Sequence, residues 1–410
     1  MILKVNKMTN KTKLLNFEYA TLQGTYWMYY GAIYSFASAF LLSRDITNSQ
    51  IGVILAVGNI LGVLSITFFS NLADKTGLKG SLNIGILIAL ATAMLTALLL
   101  ISTLPIIFIA VIFIAVIAIQ TALQPLISAL SFKLSSGSAH VSFGFARSMG
   151  SLSYSILCVL LGRLVDKTGT ISIPICGMSI AVLMMFSFLS ISKTSSVLKL
   201  LDSSVQEKSA EGATNLPIFI KTNKAFFIMC IGIIALFFSN GILNSFLLQI
   251  VRNVGGTNKD LGYIFAFMAF LEVPTLLFFD KINKLFKYES MLKLSAVCFT
   301  LKIALCTVAK GLPLLYLAHF LQPVAFALFL PAMVHYIDKI MKKSDAVKGQ
   351  GLFTLAVTVS SVLASMLGGF LIDNFGILTM NICATASSFI GAVVIILIVS
   401  LNKSIGKSNS

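Results

Sequence analysis

Glu272 stands about 12 residues into the apolar segment 260–280, roughly 18 Å along a helix axis and therefore near mid-membrane depth. A carboxyl group at that depth is expensive and persists where it faces a bundle interior or a water-filled path. It can hold a proton, or pair with a cation, and alternate between the two as solvent access changes. Two further segments offer partners: Lys302 in 290–309 and His319 in 312–337. Histidine titrates near neutral pH. These three residues have the types needed for proton coupling. A structural ion pair fits Glu272 and Lys302 as well, and a neutral packed histidine fits His319.

A second group of residues has the chemistry of solute binding. Arg147 presents five donors in a rigid fork, suited to hydroxyls or a carboxylate. Tyr30 and Tyr34, with Gln23, Tyr26 and Trp27, line the first apolar segment, and Tyr154 lies seven residues after Arg147. An aromatic wall with hydroxyls and amides suits a sugar ring, a nucleobase or an aromatic acid equally. Tyr26 and Trp27 also suit interface anchors. Asn240 and Asn244 share one helix face at a spacing of four, as do Gln120 and Gln124. Such amides, with Gln249 and Gln322, either line a cavity or link helices. His140 and His335 fall near helix ends and are given no role. The six cysteines all lie in apolar segments, and no metal-ligand spacing or nucleophile motif occurs. No cofactor, metal or enzymatic activity is therefore expected.

The elements that must position these residues are membrane helices. Of 410 residues, 57% are hydrophobic and 11% charged, against about 25% charged in a soluble globule. Apolar segments cover 20–42, 50–70, 81–102, 104–130, 141–162, 171–192, 224–250, 260–280, 290–309, 312–337, 349–371 and 377–400. Each supplies the roughly 20 residues needed to cross a bilayer. We number them spans one to twelve; the division of three from four rests on a tight turn near Pro105. The expected fold is all-α, with two six-helix bundles, 1–192 and 221–410, joined by a polar linker over 193–220. With both termini inside, 22 lysines fall in cytoplasmic segments and 6 basic residues on the other side, a positive-inside bias. The net charge of +16 therefore speaks for a multi-pass protein of the plasma membrane and against nucleic acid. A basic, polar start followed by an aromatic-rich segment reads as a first span rather than a signal peptide.

Span two ends in Asn71-Leu72-Ala73-Asp74-Lys75-Thr76-Gly77 and span eight in Phe279-Asp280-Lys281, with the aspartates 206 residues apart. Span five ends in Gly162-Arg163-Leu164-Val165-Asp166-Lys167-Thr168-Gly169 and span eleven in Gly369-Phe370-Leu371-Ile372-Asp373-Asn374-Phe375-Gly376, with an offset of 207. Two pairs at nearly one offset indicate parallel duplicated halves, a transporter design.

Ser70-Asn71-Leu72-Ala73-Asp74-Lys75-Thr76-Gly77-Leu78-Lys79 resembles the loop motif between spans two and three of the major facilitator superfamily, with Ser70 in place of its first glycine. The resemblance implies that Asp74 and Lys75, with Asp280 in the second half, latch the halves during the conformational cycle. Phe143-Gly144-Phe145-Ala146-Arg147-Ser148-Met149-Gly150 is similar to span five of the lactose permease, phenylpropionate and nucleoside proton symporter group. That similarity implies that Arg147 and Tyr154 contact solute. Leu301-Lys302-Ile303 and His319 match positions of the group's proton-coupling network. Gln322 stands where the group places a coupling carboxylate, and Ser128 where the sugar-binding glutamate would be.

These features together predict a monomeric transporter that couples proton entry to uptake of a small organic solute by alternating access. Efflux of drugs or metabolites, an uncoupled facilitator, a channel and a membrane enzyme are the competing classes.

Overall fold

The computed structural model of the chain describes residues 2–135, 141–197, 219 and 222–408, and every regular element among them is helical. Helices satisfy their own backbone amides and carbonyls, which the bilayer interior cannot do. Nine of the described helices are long and apolar enough to cross a membrane. Two of these, Asn48–Leu98 and Asp345–Leu401, are 51 and 57 residues long, and each carries two of the expected spans. Span one is absent from the nine because Ile2–Tyr30 begins basic and polar, and a π-helical turn separates it from Ala37–Leu42. Spans three and four part where expected, with Pro105 preceding the helix Ile106–Leu134. Most of the expected linker, and His140, lie outside the described residues.

The repeated aspartate motifs are helix breaks. Gly77 has φ +65° and Gly376 φ +82°, and each interrupts one of the two long helices three residues after its aspartate, Asp74 or Asp373. A Cβ at either position would meet nothing within 4 Å, so backbone conformation and not space calls for glycine. Span five, Phe143–Thr168, ends on the same Asp-x-x-Gly spacing at Gly169. Span eight lacks the glycine and breaks differently: Asn258–Leu277 closes at Phe278, and a short helix, Phe279–Leu285, follows.

The chain forms two compact units. Unit one comprises 1–46 and 57–207, and unit two 47–56 and 208–410. The beginning of span two thus groups with unit two, where Asp373 accepts from Asn48 Nδ2 at 2.8 Å and from the Ser49 backbone amide at 2.6 Å. Unit one is filled by Tyr19, Leu82, Leu123, Leu130 and Phe188, all fully buried. Unit two is centred on Phe237, Phe299 and Phe329, with ring centroids 5.3–6.0 Å apart, a separation at which aromatic pairs add to plain area burial.

Two π-helical turns lie beside candidate residues: Gly31–Ser35 in span one and Pro323–Ala327 in span ten. The first contains Tyr34; the second starts immediately after Gln322. Such insertions re-aim side chains and recur at functional positions.

Candidate functional site

In unit two, Glu272, Lys302 and Gln322 form one hydrogen-bonded chain. Gln322 Nε2 donates to Glu272 Oε1 at 2.6 Å, and Gln322 Oε1 accepts from the Lys302 ammonium. An amide nitrogen only donates and an amide oxygen only accepts, so the two charged ends dictate which way the amide faces. Lys302 and Gln322 are buried and Glu272 half-buried. The cation therefore reaches the carboxylate through Gln322 and not by direct contact. Sequence comparison marked Gln322 as the loss of a carboxylate; the structure makes it a bridge, with both ends of its amide engaged.

His319 lies three residues before Gln322 and is fully buried. Its Nδ1 donates to the Leu315 carbonyl at 2.7 Å, while Nε2 is buried without a partner. It bonds neither Glu272 nor Lys302. Asn240 is buried and Asn244 half-buried on Lys224–Asn253, and neither side chain has a hydrogen-bond partner among the described residues. Gln249 on the same helix donates to Asn48 Oδ1 at 2.8 Å.

In unit one, Arg147 lies over Trp27, its guanidinium carbon 4.1 Å from the ring centroid, and donates from Nη1 to Ser151 Oγ at 2.8 Å. The approach depends on Gly150, where a Cβ would come within 2.5 Å of the indole. Trp27 meets Tyr30 edge-on, and Tyr30 stacks on Tyr34 with centroids 4.8 Å apart. Tyr34 accepts from Asn59 Nδ2 at 3.1 Å, and the Tyr154 hydroxyl lies 2.8 Å from Ser35 Oγ. The expected aromatic group of spans one and five thus assembles, with Trp27 inside it as the platform for Arg147. Gln124 is only 3.5 Å from Ser128 Oγ, and both side-chain ends of Gln120 are buried without partners.

Of the expected gating residues, Asp74 pairs within its own unit. Lys133, which carried no signal in the sequence, donates to Asp74 Oδ1 at 3.3 Å, to the Ala73 carbonyl at 3.2 Å and to Ser81 Oγ at 3.1 Å. Lys75 and Asp280 are exposed, and neither forms an ion pair among the described residues.

Sequence reasoning also missed Glu18. It lies on the helix Ile2–Tyr30 two residues before the apolar segment 20–42, in the basic, polar start of the chain. It is 8% exposed and bonded to Ser190 and Thr194 of the helix Ser172–Val197, which runs past span six into the expected linker.

Helices of this length, broken at repeated Asp-x-x-Gly motifs and carrying buried charge in each unit, define a membrane transporter of the major facilitator type. The chain belongs to the MFS_1 like family, which matches residues 19–382. Among curated relatives, the uncharacterized transporter YwbF of Bacillus subtilis is 24% identical over 336 residues, 79% of this chain and 78% of that protein. A Deinococcus radiodurans protein named for sugar efflux is 28% identical over 127 residues, which is 30% of this chain and 31% of that protein. Its likeness therefore spans under a third of its length. Among solved structures, the nucleoside transporter NupG superposes with a TM-score of 0.77 at 14% identity, covering 95% of this chain and 99% of that one. The peptide transporter POT gives 0.70 at 12%, covering 97% and 95%. These structural likenesses speak to fold. The chain is a transporter and not an enzyme.

Proposed function

We propose that this transporter couples proton movement to uptake of a small organic solute by alternating access. The observation that carries this reading is the Glu272–Gln322–Lys302 chain in unit two. A membrane carboxylate linked through an amide to a buried ammonium has two ways to be satisfied, by a proton or by the cation's field. Glu272 is the coupling acid. Lys302 stabilises its ionised form through Gln322, and His319 lies beside the chain. Protonation accompanies loading, and proton release toward the cytoplasm resets the carrier.

The solute ligands within unit one are Arg147, Tyr154, Tyr30, Tyr34 and Gln124, and those within unit two are Asn240, Asn244 and Gln322. Aromatic faces, hydroxyls and a guanidinium suit a sugar or oligosaccharide, a nucleoside or an aromatic acid. The halves are 1–192 and 221–410, joined by 193–220, and Asp74, Lys75 and Asp280 serve their latching. The lysine distribution supports a plasma-membrane monomer with both termini cytoplasmic. Efflux is the second reading, supported by the relative named for sugar efflux and by similarity to multidrug resistance protein 2 of Bacillus subtilis, 23% identical over 180 residues.

Accumulation of a mixed solute panel in energised right-side-out and inside-out vesicles, with and without a protonophore, tests all three elements. Uptake reads out as accumulation in right-side-out vesicles that collapses with the protonophore and in Glu272→Gln. Accumulation that survives both sinks the coupling role; accumulation only in inside-out vesicles establishes efflux.

A further inference from the structure

Glu18 is a buried carboxylate that the proton-coupling reading does not use. Its Oε1 accepts from Ser190 Oγ at 2.5 Å and from Thr194 Oγ at 3.0 Å. Its Oε2 is buried and has no hydrogen-bond partner. Among the described residues no basic nitrogen lies within ion-pair distance of it. Among the described side chains, the charged groups on the elements around it are exposed or bonded to other partners. Arg147 of span five lies over Trp27, and Lys133 in the last turn of Ile106–Leu134 binds Asp74 and the Ala73 carbonyl. Lys13, Arg163, Lys167 and Lys193 are exposed.

The 2.5 Å contact lies in the range of a hydroxyl donating to an ionised carboxylate. An ionised carboxylate with one buried oxygen unmet and no cation nearby is costly. Both hydroxyls that donate to Oε1 retain lone pairs. Glu18 Oε2, Ser190 Oγ and Thr194 Oγ together are hard oxygen ligands, the set that suits an alkali or alkaline-earth ion rather than the softer metals that take thiolate or imidazole. Charge selects between the first two. One carboxylate balances one positive charge, whereas a divalent ion would leave a net charge buried.

We infer that Glu18, Ser190 and Thr194 form a binding site for a monovalent alkali cation in unit one, between the helices Ile2–Tyr30 and Ser172–Val197. The ion neutralises Glu18, ties these two helices together and completes its shell with water or backbone carbonyls. This site is separate from the proton chain of unit two and does not depend on it.

The test is thermal unfolding of the purified full-length chain in detergent, titrated with sodium or potassium chloride against N-methyl-D-glucamine chloride at matched ionic strength. A bound ion raises Tm by roughly 3 °C for each tenfold excess over its midpoint. The expected result is a saturable rise with sodium or potassium that the organic cation does not produce. Glu18→Gln abolishes it, and Thr194→Val moves the midpoint several-fold higher. Equal responses to all three salts, or an unchanged alkali response in Glu18→Gln, overturn the site. So does stabilisation that follows acid pH alone, since Glu18 would then hold a proton. If Glu18→Gln does not fold, Ser190→Ala and Thr194→Val decide, and an unmoved midpoint in both overturns the site.

Discussion

Gln322 donates to Glu272 at 2.6 Å and accepts from Lys302, so a neutral amide stands between the carboxylate of span eight and the ammonium of span nine. The arrangement separates a half-buried carboxylate from a buried ammonium while giving each a hydrogen-bond partner. Glu272→Gln is expected to lower gradient-driven accumulation by about tenfold or more, ~1.4 kcal/mol, while leaving solute counterflow, which needs no net proton movement, near its wild-type rate. Parallel loss of both would make Glu272 a solute ligand or a structural group.

Replacing Gln322 separates bridge from spacer. Gln322→Leu deprives two charged groups of a partner at once, at about 1.5–3 kcal/mol for each such hydrogen bond, and should lower both Tm and uptake. Gln322→Glu still accepts from Lys302 but faces Glu272 with a second carboxylate, and two carboxylates so close share one proton. The alkaline limb of the transport pH profile should then move upward by roughly one unit. An unmoved profile in an active Gln322→Glu carrier would show that the amide does not link the two groups.

Arg147 depends on Trp27 for its placement. A guanidinium over an indole is worth about 0.5–2 kcal/mol, so Trp27→Leu should weaken solute binding by about 2- to 30-fold, with Trp27→Phe in between. Solute Kd measured by tryptophan-independent means, such as calorimetry, checks the order. Arg147→Lys retains the charge but not the planar fork and should bind worse than wild type.

Lys133 has three acceptors and Asp74 one visible cation, and the Asp74 side chain is 67% exposed. The exposed pair contributes about 0–1 kcal/mol, whereas Lys133 also serves the Ala73 carbonyl and Ser81. Lys133→Met should therefore lower Tm more than Asp74→Asn. The reverse order would mean that Asp74 matters through some other contact.

At Gly77 and Gly376 the positive φ leaves only conformational strain to measure. Gly77 has ψ −158° and Gly376 ψ 168°, a region open essentially to glycine alone, so Gly→Ala at either should cost about 1–3 kcal/mol, with Asn no better tolerated than Ala and Val worst. Equal melting temperatures across the series would show that the breaks do not need glycine.

The amino-acid sequence by itself determined the membrane helices, the repeated aspartates and the rare polar residues inside the apolar segments, though not Glu18. Hydropathy and length are local properties, and a run of some 20 apolar residues is committed to a helix by its solvent. The ends of spans two, five and eleven were legible through their repeated aspartates, while the glycines whose positive φ breaks the chain there emerged from the backbone. The pairings were not legible. Gln322 lies 50 residues from Glu272 and 20 from Lys302, and Ser190 lies 172 from Glu18. Helices apolar on nearly every face carry little pattern to say which side turns inward. Only packing sets their rotation, and with it whether a lone charge meets an amide, an indole or a pair of hydroxyls. That is why Glu272 could be singled out from the sequence, while the amide that joins it to Lys302 appeared only when the helices were placed together.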